Sequence, residues 1–186
     1  MESSKNLSGV KNILITSKPG CGKTTLIIEI LKELNLKASG FYTSEIRVHG
    51  KRKGFSIVTL SGKRGILAHQ NIRSEKRVSK YGLNLKDLEE LGVSSIFRGL
   101  KKGDLIIIDE IGKMEIFSKR FQKVVLQALN SKSQVLGTIG IHSDPFLDRI
   151  RNRKDTIILK LSTANRSEIK RKIKHLLTSY KSSIIK

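Results

Sequence analysis

The chain has 186 residues, of which 38% are hydrophobic, 5% aromatic and 28% charged; these figures fit one globular domain over residues 1–186 and exclude a disordered tail. No apolar run approaches the ~18–20 residues of a membrane-crossing helix, and the opening MESSKNLSGVKNILITS lacks the basic stretch, apolar core and small-residue site of an export leader, so a cytoplasmic protein is expected. A single cysteine, Cys21, excludes an internal disulfide scaffold and a zinc finger of either common spacing. The formal charge of +21 far exceeds the magnitude of roughly 2–8 usual for a small soluble domain, and such a field attracts nucleotides, nucleic acid and acidic surfaces.

Along the chain, short β-branched runs alternate with amphipathic stretches, as in βαβ units with a mainly parallel sheet and helices on both faces. Asn12–Thr16 (NILIT) predicts a first buried strand. A Gly/Pro-rich turn follows, then a helix over Lys23–Leu34 with Leu26, Ile27, Ile30, Leu31 and Leu34 on one face. Gly40–Ile46 and Phe55–Leu60 predict an antiparallel hairpin around a polar turn at His49–Gly54, an insert at one end of the sheet, with a third short strand at Gly65–Ala68. His69–Tyr81 is polar, basic and aperiodic, and predicts a surface loop. Two short helices are expected at Leu85–Leu91 and Val93–Leu100. Asp104–Asp109 (DLIIID) has the continuous apolar run of a strand buried on both faces. A helix over Phe117–Leu129, strands at Gln134–Ile139 and Thr156–Leu161, and an intervening helix at Phe146–Arg151 complete the alternation. The last helix is expected from Asn165, with Asn165 and Glu168 at capping-box spacing, to about Ser179.

Residues 17–25, Ser-Lys-Pro-Gly-Cys-Gly-Lys-Thr-Thr, stand between a predicted strand and a predicted helix, where a phosphate-binding loop belongs. Lys18, Pro19, Gly20, Cys21, Gly22, Lys23, Thr24 and Thr25 are the candidate nucleotide-binding residues. Glycines at 20 and 22 let backbone N–H groups turn around a phosphate, Lys23 reaches the β- and γ-phosphates, Thr24 offers a hydroxyl to Mg²⁺, and Thr25 is placed for the α-phosphate. Ser17 replaces the first glycine of the G-x-x-x-x-G-K-Ser/Thr pattern, so the loop entry differs in shape. Cys21 lies near a helix N-terminus, a position that favours its thiolate.

The run ending in Asp109-Glu110 delivers two carboxylates to the carboxyl edge of the sheet, where α/β folds bind ligands. Asp109 is the candidate metal ligand opposite Thr24, and Glu110 the candidate base for a water attacking the γ-phosphorus. A water-activating glutamate favours hydrolysis over kinase chemistry, which wants a dry site and an acceptor hydroxyl. Lys113 is a candidate for stabilising transition-state charge; Arg73, Arg77, Arg151 and Arg153 are further cations that sequence does not rank, and Thr138 is a candidate for positioning water. His49, His69, His142 and His175 form no metal-ligand spacing and are expected to be surface or loop residues. Twelve Lys/Arg against two acidic residues from Arg149 to Lys186 admit a nucleic-acid surface, but such a run is ordinarily a solvated face, and few aromatics are present for base stacking.

The string Pro19-Gly20-Cys21-Gly22-Lys23-Thr24-Thr25-Leu26, the Gly40–Arg47 segment with Gly54-Phe55, Asp109-Glu110-Ile111-Gly112-Lys113-Met114-Glu115 and Asn165-Arg166 together resemble the THEP1 family, small nucleoside-triphosphatases of archaea, thermophilic bacteria and animals. The resemblance implies a RecA-like P-loop NTPase fold. It also implies Mg²⁺-dependent release of phosphate from ATP, GTP and other NTPs with loose base choice. Carried over, Lys23 and Thr24 match the phosphate and magnesium positions, Asp109 the metal carboxylate, Glu110 the base, and Lys113 a family lysine. The expected assembly is a monomer. Two alternatives stay open: a nucleotide or nucleoside kinase, and a nucleic-acid-stimulated ATPase using the basic C-terminal region.

Overall fold

The structure, a computed structural model, describes residues 9–184; residues 1–8, which carry most of the leader reading, and residues 185 and 186 lie outside the described residues. Nine strands form one sheet: β1 (Asn12–Thr16), β2 (Ala38–Val48), β3 (Lys51–Thr59), β4 (Arg64–His69), β5 (Arg77–Val78), β6 (Tyr81–Leu83), β7 (Leu105–Ile111), β8 (Val135–Ile139) and β9 (Thr156–Lys160), in the order β5-β6-β4-β3-β2-β7-β8-β1-β9. The stretch β2-β7-β8-β1-β9 is parallel, and β3, β4, β6 and β5 extend it antiparallel. β8 therefore lies between β1, which leads into the glycine loop, and β7, which carries Asp109 and Glu110.

The helices are α1 (Lys23–Leu34), α2 (Leu85–Asp87), α3 (Ser94–Lys102), α4 (Lys119–Asn130), α5 (Pro145–Arg151) and α6 (Arg166–Ile184). Strand alternation sorts the core into two layers. In β1, Ile13 and Ile15 pack with Leu26, Ile27 and Ile30 of α1 and with Ile173 and Leu177 of α6, whereas Leu14 joins the opposite layer. In β7, Ile107 joins the α1/α6 layer, and Ile106 and Ile108 join Ile96 of α3 and Phe121, Val124 and Val125 of α4.

Several expectations are corrected in detail. The hairpin turn is two residues, His49 and Gly50, with φ of +48° and +73°, the paired positive values of a tight hairpin; Lys51, Arg52 and Lys53, read as turn for their charge, belong to β3. His69–Tyr81 is not wholly a loop: β5 and the start of β6 pair across Ser79 and Lys80. The two short helices after Leu85 form one helical run, because a π-helical turn at Leu88–Val93 joins α2 to α3. Asp104 precedes β7 and accepts a hydrogen bond from Ser39 at 2.7 Å. Asn165 is not an N-cap of the expected kind, since its side-chain oxygen accepts from the Ser162 N–H and its amide donates to the Lys160 carbonyl.

Candidate active site

β1 ends at Thr16, and the chain turns through Ser17–Gly22 into α1. Gly20 and Gly22 have φ of +81° and +77°, values that a Cβ makes costly, so both glycines are required for the turn. The first turn of α1 has no side-chain cap and no acidic residue, which leaves its backbone N–H groups and positive dipole end for an anion. Lys23 donates to the Ser17 hydroxyl at 3.4 Å, and Ser17 donates onward to the Lys18 carbonyl. Ser17 thus uses the place of the first pattern glycine to hold the lysine ammonium across the loop.

Asp109 is 1% exposed, and both of its oxygens are engaged: Thr24 donates to Oδ2 at 2.5 Å and Thr138 to Oδ1 at 2.6 Å. The strand register explains the meeting. Ile15 of β1 lies beside Thr138 of β8, and β7 bears Asp109 on the other side of β8. The β7–β8 register shifts between Ile108 and Ile111, which leaves Asp109 and Glu110 without regular partners on β8, while on the other side Asp109 stays in register with Tyr42 of β2. Burial pushes the Asp109 carboxyl above its ordinary range, with the two hydroxyls and Lys23 pulling it back. Glu110 is likewise raised by burial, opposed by Lys23 and reinforced by Asp109.

A cleft of about 700 Å³ brings together Pro19, Gly20, Gly22, Lys23, Thr24, Thr25, Asp109, Glu110 and Lys113. Lys18 is exposed, Cys21 is half-buried, and neither lines the cleft. Thr138 does not face it either: fully buried, it orients Asp109 rather than water. None of the four ungraded arginines lines it. Arg151 donates to the Gly140 and His142 carbonyls and so braces the loop after β8. Arg77 is tied to the Ile72 and Lys80 carbonyls, and Arg153 pairs with Asp155.

Two further residues, Glu115 and His142, line the cleft. Glu115, 4% exposed, accepts from the Gly112 N–H at 3.1 Å, and burial together with the nearby Glu110 pushes its carboxyl up to about 8. Its signal was a carboxylate five residues beyond Glu110 across a glycine turn. His142 also lines the cleft, where burial and Lys113 lower its pKa; a histidine three residues past the end of a central strand marks the same rim. Outside the cleft, Arg166 donates to the Gly22 carbonyl at 3.1 Å and to Glu29 at 2.9 Å, fastening α6 to the glycine loop.

The oxygen set at Thr24 and Asp109 fits Mg²⁺, a hard ion that takes one or two protein oxygens and completes its shell with phosphate and water. Among the described residues no group of three His, Cys, Asp or Glu is placed to hold an ion by itself.

Comparison with known proteins identifies the family. The family model described as NTPase matches residues 12–174. A nucleoside-triphosphatase THEP1 from Thermotoga sp. is 50% identical over 165 residues, covering 89% of this chain and 94% of that protein. A human cancer-related nucleoside-triphosphatase is 36% identical, covering 86% of this chain and 92% of its own. The crystal structure of THEP1 from Aquifex aeolicus superimposes with a TM-score of 0.80 at 38% identity, over 87% of this chain and 96% of that one.

Proposed function

The chain belongs to the NTPase family that includes the THEP1 nucleoside-triphosphatases, and from that premise we propose that it hydrolyses nucleoside triphosphates to diphosphate and phosphate with Mg²⁺. The observation that carries the reading is one cleft in which Lys23, Thr24 and Asp109 stand beside Glu110. The loop Pro19–Thr25 grips the phosphates through backbone N–H groups and the dipole end of α1, and Lys23 neutralises their charge. Mg²⁺, held by Thr24 and Asp109, would offset charge on the β- and γ-oxygens. Glu110 takes the proton of a water whose oxygen attacks the γ-phosphorus; the bond to the β–γ bridging oxygen breaks and the diphosphate leaves. Lys113, on the same wall, stabilises charge on the equatorial oxygens. The grip uses groups common to every triphosphate, which supports broad choice among ATP, GTP, CTP and UTP. A cytoplasmic monomer is the state in which we expect it to act.

The test is phosphate release from each of the four NTPs with Mg²⁺. Lys23→Ala should lose binding or turnover, and Glu110→Gln should keep nucleotide affinity while turnover falls by a factor on the order of 10² or more, as for loss of a general base. Undiminished turnover in Glu110→Gln would place the base elsewhere.

One observation favours a second reading. The cleft is also lined by Tyr42, Ser44, Arg52 and Phe55, room in which an acceptor hydroxyl would make the reaction phosphoryl transfer. Incubation with γ-labelled ATP and nucleosides separates the two: label in free phosphate supports hydrolysis, and label in an acceptor supports transfer.

A further inference from the structure

A second cavity, of about 660 Å³, opens at the opposite end of the sheet, in the size range of small-molecule sites. Asp104 on its wall precedes β7, whereas Asp109 lies near the strand's end; five residues at about 3.3 Å each put roughly 16 Å between them. The two cavities share no lining residue.

Its chemistry is specific. Lys37, Arg98 and Lys102 surround it, and their side chains have no hydrogen bond or ion pair among the described residues. Arg98 and Lys102 stand four apart on α3, a like-charge spacing that costs a helix stability. Part of that cost is offset by the helix's C-terminal end. Three cations against one carboxylate and roughly half a negative charge from the helix dipole still leave an excess of about +1.5. The floor is polar and half-buried to buried: Ser39 donates to Asp104, and the buried Ser95 hydroxyl donates to the Gly92 carbonyl at 2.7 Å. Each hydroxyl keeps acceptor capacity, and the second oxygen of Asp104 has none of these donors.

The site is also rigid. Leu105 N–H donates to the Lys37 carbonyl, Asp104 N–H to the Gly99 carbonyl and Leu60 N–H to the Gly40 carbonyl, at 3.0–3.2 Å. A Cβ on Gly99 would stand 2.7 Å from that of Ser39, so α3 is seated directly on β2. The backbone of the walls is fixed in this way, and the exposed side chains of Lys37, Arg98 and Lys102 are ordered on binding.

We propose that this cavity is a binding site for a small phosphate monoester with free hydroxyls, of the sugar-phosphate class. Lys37, Arg98 and Lys102 take the phosphate, and the free Asp104 oxygen accepts from a ligand hydroxyl. Neither the proposed hydrolysis nor its cleft supplies this ligand.

The experiment is residue-resolved amide NMR on the full chain, titrated with ribose 5-phosphate, inorganic phosphate and ribose. Ribose 5-phosphate should give saturating shifts at Ser39, Ser95 and Asp104, inorganic phosphate should bind there more weakly, and ribose should produce none. The exposed double variant Arg98→Ala/Lys102→Ala should weaken this response at least tenfold while phosphate shifts at Gly20–Thr24 persist. Shifts confined to the phosphate loop, or equal in wild type and double variant, would overturn the proposal. So would a short RNA that saturates these residues when ribose 5-phosphate does not.

Discussion

Glu115 gives the sharpest physical prediction. Its carboxyl is buried beside Glu110 and titrates near 8, against 4.5 unperturbed. The folded state therefore holds this acid neutral over a range in which the unfolded chain ionises it. The group costs the fold nothing below the unfolded value, and the penalty grows as pH rises from about 4.5 and levels off above about 8. At 1.36 kcal/mol per pKa unit the full penalty is about 5 kcal/mol, of which about 3–4 kcal/mol develops between pH 5 and pH 8. Glu115→Gln removes the ionisation and keeps an oxygen to accept from the Gly112 N–H. Urea unfolding of both proteins from pH 5 to pH 8.5 should show similar midpoints at the acid end and a variant that gains on wild type by roughly that amount toward pH 8. A stability difference that does not change with pH would refute the argument, because a purely steric effect of the amide has no proton linkage.

Other perturbations test the remaining contacts. Thr138→Val removes the donor to Asp109 Oδ1 and should cost about 1–3 kcal/mol of stability, the usual penalty for orphaning a buried polar atom, while raising the Mg²⁺ concentration needed for half-maximal phosphate release. An unchanged Mg²⁺ titration would mean that Thr138 does not orient the carboxylate. Gly22→Ala places a Cβ 3.0 Å from the Arg166 guanidinium at φ +77°, and should lower the melting temperature through a strain of about 1–2 kcal/mol and weaken nucleotide binding. Adding Arg166→Ala should relieve the contact but not the dihedral, so full recovery of stability would contradict the φ argument. Glu110 must be ionised to act, and burial raises its pKa, so phosphate release should rise with pH through a midpoint above the ordinary carboxylate range; a midpoint at an ordinary glutamate value would mean that the base is solvated.

Most of the site could be read from the chain because its signals are local. NILIT and LIIID carry apolar residues, Ile13–Ile15 and Leu105–Ile108, that face the two hydrophobic layers, and the glycine loop and Asp109-Glu110 are fixed by the strand ends that carry them. Contacts made between distant segments were not legible. Within the loop itself, the glycine pattern does not show that Ser17 takes the Lys23 ammonium. Thr138 looked available to water, yet it is 29 residues from Asp109 in sequence and one strand away in space. Glu115 shows no sign of burial in a one-dimensional reading, since charged residues are seldom inside. The charged start of β3 is illegible for a related reason: Lys51–Lys53 are polar, and polarity alone does not distinguish a strand end from a turn, although Arg52 packs over Phe55 and lines the cleft.

The same distinction bears on the charge. Of the basic residues that crowd the C-terminal region, Arg166, Lys170 and Lys174 lean from α6 onto Glu29 and Glu33 of α1, and Arg151 and Arg153 pair with Asp148 and Asp155. These contacts lower the pKa values of Glu29 and Glu33. They are half-buried surface pairs, individually worth little, but those on α6 orient it and bring Arg166 to the carbonyl of Gly22. Part of the basic C-terminal run is therefore spent inside the molecule on the alignment of the phosphate loop. Lys37, Arg98 and Lys102 around the far cavity make no such ion pair among the described residues and are gathered on one cavity wall. If the excess charge serves a ligand other than the substrate triphosphate, that end of the sheet is where its effect should be concentrated, and raising salt should weaken binding there while leaving the buried Thr24–Asp109–Thr138 contacts unchanged.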